Sequence, residues 1–220
     1  MNNTDDLWID TRLSEEEMKF LNDAISKKNK ENHSDHLAGN ISKSELIEDE
    51  DNWFFESSLK KLIEKKEKSQ IEKLKLEPFW VNYQKQNEFN PLHNHSGLYS
   101  FVVFMKIPTH WKEQHALPLS TVSNFPCASD FCFHYPEKDN NIYTTYFKLS
   151  PEDEGRMLFF PAGLAHQVYP FYGTEEERIT ISGNISLVDP NVQKSNFKKI
   201  LEEGARAIEE DAKFMKELRK

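Results

Sequence analysis

Asn90-Pro91-Leu92-His93-Asn94-His95-Ser96-Gly97 runs directly into Leu98-Tyr99-Ser100-Phe101-Val102-Val103-Phe104-Met105, so a polar turn carrying two histidines feeds the strongest strand signal in the chain. Similar aromatic and β-branched runs recur at residues 79–83, 131–135, 142–147, 157–160, 167–169 and 179–188, separated by Pro, Gly and Asn. Many short strands with no helices between them indicate an antiparallel sandwich or jelly roll. They exclude a doubly wound α/β sheet. Among the interruptions, residues 107–130 form the longest, and loops of that length often serve as lids or binding loops.

Working outward, residues 1–75 read as a helical N-terminal region packed on the β core. Ser14-Glu15-Glu16-Glu17 has the form of a capping box, with Met18, Leu21 and Ile25 on one face of the helix that follows. Trp53, Phe54, Leu59, Leu62 and Ile63 mark a second amphipathic helix. The polar stretch between them reads as a loop, and its His33 and His36 read as surface histidines. Residues 76–190 form the β core, and residues 191–220, with Phe197, Ile200, Leu201, Ile208, Ala212 and Met215 in helical phase, form a closing helix. Together these make one structural domain.

The formal charge of −9 comes with no basic stripe, which argues against a nucleic-acid backbone as the main partner. A small-molecule or peptide ligand fits better. No run of 18 apolar residues occurs, and no basic segment precedes an apolar one at the N-terminus, so the expected location is the cytoplasm, away from membranes. Cys127 and Cys132 are too few for a disulfide framework and too widely spaced for a C-x-x-C pair, so they read as free buried thiols.

Side chains two apart on an extended chain share a face, so His93 and His95 can aim both imidazoles at one point. A third imidazole follows Phe159-Phe160-Pro161-Ala162-Gly163-Leu164-Ala165, where a strand ends in a turn and delivers His166. Three histidines so placed suit a metal; taken singly, each would serve as well to cap a turn or strand through backbone carbonyls. Farther on, Arg178, Thr180 and Ser182 alternate with Ile179 and Ile181, which sets a guanidinium and hydroxyls on one face as a carboxylate clamp. The competing partner for Arg178 is the acidic run Glu175-Glu176-Glu177. His110, His115 and His134 read as surface or hydrogen-bonded residues.

The order H-x-H, a distal His after an F-P-x-x-L-x-H run, then R-x-T resembles the 2-oxoglutarate- and Fe(II)-dependent oxygenases, and within them a group found in bacteria and in phages of marine cyanobacteria. The resemblance covers roughly residues 76–188 and rests on stretches 80–95, 100–108 and 155–184. It implies a mainly β fold with flanking helices: a double-stranded β-helix, the jelly roll shared with cupins. It also implies a dioxygenase, a hydroxylase of unknown substrate, using Fe(II) and 2-oxoglutarate. His93 and His166 match the metal histidines, Arg178 the cosubstrate arginine, Thr180 its hydroxyl partner, and Tyr83 a tyrosine that touches the cosubstrate in prolyl hydroxylase-like members. No catalytic residue beyond the metal centre is implied.

His95 departs from the commoner pattern, which has Asp or Glu at that position in a 2-His-1-carboxylate triad. Residues 107–130 and 136–141 are the expected selectors of substrate. Two other functions remain open on the same residues: a three-histidine, cupin-type metalloenzyme without 2-oxoglutarate, and a non-catalytic β-helix binding module.

Overall fold

The computed structural model describes residues 7–27, 31–47, 49, 51–66 and 73–188, so the expected closing helix at 191–220 lies outside the described residues. Eleven strands make two antiparallel sheets: β1 (Ile9–Arg12), β2 (Ser44–Ile47), β3 (Leu74–Leu76), β4 (Phe79–Gln84), β5 (Asn90–His93), β6 (Tyr99–Lys106), β7 (Phe131–Pro136), β8 (Ile142–Phe147), β9 (Arg156–Pro161), β10 (Ala165–Val168) and β11 (Arg178–Leu187). The larger sheet runs β1-β9-β6-β11-β4-β2, with β3 paired to the end of β11. The smaller runs β5-β10-β7-β8.

Strict alternation along β6 and β9 divides the core in two. Val102, Phe104, Leu158 and Phe160 face the smaller sheet and pack on its Phe131, Phe133, Tyr135 and Phe147. Tyr99, Phe101, Val103, Met157 and Phe159 face the other way and are covered by Leu21, Ala24, Phe54, Leu59 and Ile63. These helical residues come from α1 (Glu15–Ser26), from Phe54 at the cap of a π-helical turn, Phe55–Leu59, and from that turn and α2 (Lys60–Lys66), into which it continues. At the start of α1, the Ser14 hydroxyl accepts from the Glu17 backbone N–H, and the Glu17 carboxylate accepts from the Ser14 N–H.

The N-terminal region is more than helical: β1 and β2 lie within it, β3 straddles its end, and all three extend the larger sheet. Four residues or fewer per strand are too short to show a period of two, which is why the sequence carries no strand signal there. Residues 107–130 likewise hold two short helices, α3 (Trp111–His115) and α4 (Pro118–Thr121).

Gly183 occupies the tightest point of the helix-facing layer. A Cβ there would meet the Phe79 Cβ at 2.6 Å and the Phe101 ring at 2.8 Å, both in fully packed surroundings. Gly183→Ala is expected to destabilise the fold by about 1–3 kcal/mol, measured by urea unfolding, because an overpacked core must shift backbone or rings. An unchanged midpoint would show that the two rings yield freely.

Candidate metal and cosubstrate site

A cavity of about 400 Å³ opens between the sheets, lined from the larger sheet by Trp80, Asn82 and Gln84 of β4 and by Arg178, Thr180, Ser182 and Asn184 of β11. Strand register explains this set. Arg178 lies opposite Gln84, Thr180 opposite Asn82 and Ser182 opposite Trp80, and residues directly opposite share a face. The intervening residues, Tyr83 opposite Ile179, face the helices instead.

Tyr83 therefore does not reach the cavity, a correction to its expected cosubstrate contact. Its hydroxyl lies 3.2 Å from a Glu45 carboxylate oxygen and Lys43 sits over its ring, while burial pushes its pKa up to about 12.

At the mouth, His93 of β5 is the direct cross-strand partner of His166 of β10. His95 stands in the loop beyond β5, its backbone N–H donating to the Ala162 carbonyl at 2.9 Å, so the turn before His166 also fixes His95. One ligand atom from each of the three imidazoles can be chosen so that all lie within 4.8 Å of one another. The His95 and His166 Nε2 atoms are 3.2 Å apart.

His93 Nδ1 lies 2.7 Å from the Pro91 carbonyl and His166 Nδ1 2.9 Å from the Leu164 carbonyl. A carbonyl can only accept, so each Nδ1 carries the proton and each Nε2 presents a lone pair. Burial, and then the neighbouring His93, lowers the pKa of His95 to about 4 and of His166 to about 3. Both are neutral at pH 7, the form that binds metal.

The floor of the cavity belongs to Arg178, which is completely buried. It donates from Nη2 to the Ser129 carbonyl at 2.9 Å and to the Ser129 hydroxyl, and its guanidinium stands 5.1 Å from the Phe171 ring centre. Its Nε has no partner among the described residues. The acidic run does not claim it: Glu175 accepts from Gln86 and Glu176 pairs with Lys106. Burial lowers the arginine's pKa to about 10, which leaves it charged at neutral pH. A dry cation with an unpaired N–H, facing a cavity walled by Phe104, Phe131 and Val168, asks for an anion.

Other expected features fall elsewhere. Residues 107–130 and 136–141 do not line the cavity. The first of these is fastened through its own Gln114, whose amide exchanges two 2.9 Å hydrogen bonds with the Tyr172 backbone. The outer wall is instead the segment carrying His33, His36, Leu37, Gly39 and Ile41, and His33 sits against the Trp80 ring. The sequence held no sign of this, since the segment is set against the cavity by partners far away in the chain, among them the Phe89 carbonyl, which accepts from the Asn40 N–H at 2.8 Å, and β4, on which β2 pairs. His110 caps α3, His115 pairs with Asp130, and His134 bonds Thr144.

Residues 78–184 match a protein-family model described as "Putative 2OG-Fe(II) oxygenase". This stretch is thus a 2OG-Fe(II) oxygenase domain. A search of curated proteins gives no match for the chain. Among solved structures, the fold is similar to a 2OG-Fe(II) oxygenase-family oxidoreductase from Burkholderia pseudomallei, with a TM-score of 0.54, 9% identity, and coverage of 81% of this chain and 85% of that one. It is also similar to the viral collagen prolyl hydroxylase of Paramecium Bursaria Chlorella virus-1, with a TM-score of 0.50, 16% identity, and coverage of 81% and 95%. A third is SnoN, a non-heme alpha ketoglutarate dependent epimerase of nogalamycin biosynthesis, with a TM-score of 0.52, 13% identity, and coverage of 81% and 76%.

At these identities the structures speak for the fold, and the two sheets are the double-stranded β-helix expected of it. The oxygenase is an oxidoreductase whose metal is Fe(II) and whose cosubstrate is 2-oxoglutarate. Its donor set fits them: three converging imidazoles at the mouth, and at the floor a buried cation with one N–H unpaired among the described residues. Among the described residues no Asp or Glu lines the cavity, so no carboxylate completes the commoner triad. Nor is any helix among them long and apolar enough to cross a membrane.

Proposed function

We propose that this oxygenase hydroxylates a small-molecule or peptide substrate, with His93, His95 and His166 holding Fe(II) and Arg178 and Thr180 anchoring the distal carboxylate of 2-oxoglutarate. The carrying observation is that three converging imidazoles and a buried arginine with a free N–H share one cavity. When bound, Fe(II) and 2-oxoglutarate supply the oxidation, in which O₂ and the cosubstrate give succinate and CO₂ and one oxygen atom enters the substrate.

The chain's own residues bind, orient and exclude water. Three imidazoles bring no charge, so Fe²⁺ with dianionic 2-oxoglutarate sums to about zero, against about −1 where a carboxylate stands in the triad. Leu164 and Pro91 carbonyls hold the His166 and His93 rings in the tautomer that ligates. Phe131 and Phe160, with ring centres 5.8 and 5.0 Å from that of His166, keep water from its inner side. Thr180 stands two residues from Arg178 on the same face, within 3.5 Å of the Asn82 amide nitrogen. A reducing compartment such as the cytoplasm suits Cys127 and Cys132, which are both free.

Anaerobic Fe(II) titration with and without 2-oxoglutarate tests the reading. A visible metal-to-ligand charge-transfer band at one equivalent of each is the expected result. Stoichiometric iron without that band would point to the three-histidine metalloenzyme that does not use 2-oxoglutarate, and no iron at all to the binding module.

A further inference from the structure

Next to Arg178, but not lining the cavity, lies a charged group the proposed reaction leaves unused. Asp130 is completely buried where the chain enters β7. Its Oδ1 stands 3.0 Å from His115 Nε2, while its Oδ2 has no partner among the described residues. Ser129, its neighbour in the chain, accepts from Arg178 Nη2 through both its carbonyl and its hydroxyl. Two groups of opposite charge are thus buried within electrostatic reach of one another, short of a direct ion pair, each with one polar atom unpaired among the described residues. A buried polar atom left unpaired costs free energy, so the arrangement is incomplete without a further ligand.

We propose, resting on the reading of Arg178 as the cosubstrate's anchor, that Asp130 is the standing counter-charge of Arg178 and takes up one proton from solvent when the distal carboxylate of 2-oxoglutarate docks. Before docking, Arg178 and Asp130 cancel. Docking brings a second anion into a water-poor site, where repulsion between carboxylates is weakly screened. A proton on Asp130 restores neutrality at Arg178. Solvent lies nearest on the His115 side, where that side chain keeps 12% exposure while that of Asp130 keeps 1%.

The groups facing Asp130 are few. His115 on α3, Lys148 after β8 and Arg178 on β11 are its basic neighbours, and all three favour its charged form. Cys127, Cys132 and Tyr146 are its acidic neighbours, and burial pushes each of them up, so they stay neutral at pH 7. Burial outweighs the basic groups and raises Asp130 to about 6. Above that pH Asp130 meets the cosubstrate without the proton, and docking raises its proton affinity further. Cosubstrate affinity should therefore fall as pH rises from 7, approaching about tenfold per unit.

The test is calorimetric titration of the Fe(II)-loaded protein with 2-oxoglutarate, under anaerobic conditions, at pH 6–8.5 and in buffers of different ionisation enthalpy. The wild-type protein should take up close to one proton at pH 8 and much less at pH 6. Asp130→Asn should abolish both the uptake and the pH slope, and at pH 8 should bind the cosubstrate at least as tightly as wild type, since no counter-charge must be neutralised. A merely structural role would weaken binding equally at every pH. That result, an unchanged slope in Asp130→Asn, or zero uptake by wild type at pH 8, overturns the proposal. The wild-type proton count decides the matter alone if the variant does not fold, and absence of 2-oxoglutarate binding at every pH would overturn the anchor reading along with it.

Discussion

Changing His95 to alanine is expected to strip iron from the protein while leaving its melting temperature in place. The residue's hold on the fold is its backbone N–H bond to Ala162, which alanine keeps, and its ring is only partly buried. Its hold on the metal is one of three imidazoles, so the loss in iron affinity should exceed the roughly 10–100-fold that follows loss of a group merely supporting a ligand. His95→Asp is the informative companion. It writes the commoner triad into this chain, and iron binding with 2-oxoglutarate decarboxylation should persist provided the shorter side chain reaches the metal. Full iron occupancy and full cosubstrate turnover in His95→Ala would make His95 a bystander and leave the third ligand to be found.

Arg178→Gln should raise the 2-oxoglutarate requirement by two to three powers of ten, with iron affinity little changed. Breaking a desolvated, charge-assisted pair by removing one partner costs about 3–5 kcal/mol, and each 1.4 kcal/mol is about tenfold in affinity. Arg178 is also completely buried, so far-UV circular dichroism and a thermal melt must accompany the titration. An unchanged cosubstrate requirement in a folded variant would move the assignment to an enzyme whose own substrate meets the arginine, or to none.

The jelly roll could be read from the sequence because its strands carry their signal locally: β6 and β9 alternate between two cores, and each face is filled by large apolar side chains. His93, His95 and His166 stood out for a related reason, since they flank turns that deliver them to adjacent strands. Tyr83 shows the limit. Trp80, Val81, Asn82 and Tyr83 are all buried, so composition gives β4 no inside and outside; only its pairing with β11 decides that Asn82 faces Thr180 and Tyr83 faces away. Ser129, Asp130 and His115 were invisible for a different reason. Their meaning comes from a fully buried arginine 49 positions after Ser129, and no local pattern records a contact at that range. The wall carrying His33 and His36 is likewise a product of long-range pairing, through β2 on β4 and the Asn40–Phe89 bridge.

That wall bears on how the cavity can be retuned. The residues proposed to hold Fe(II) and 2-oxoglutarate all fall within residues 78–184, whereas His33, His36, Leu37, Gly39 and Ile41 come from a stretch that precedes the matched domain. On the proposed reading, chemistry and outer wall are written in separate parts of the chain. Substitutions within residues 33–41 are then expected to change what the cavity admits while leaving every proposed ligand in place.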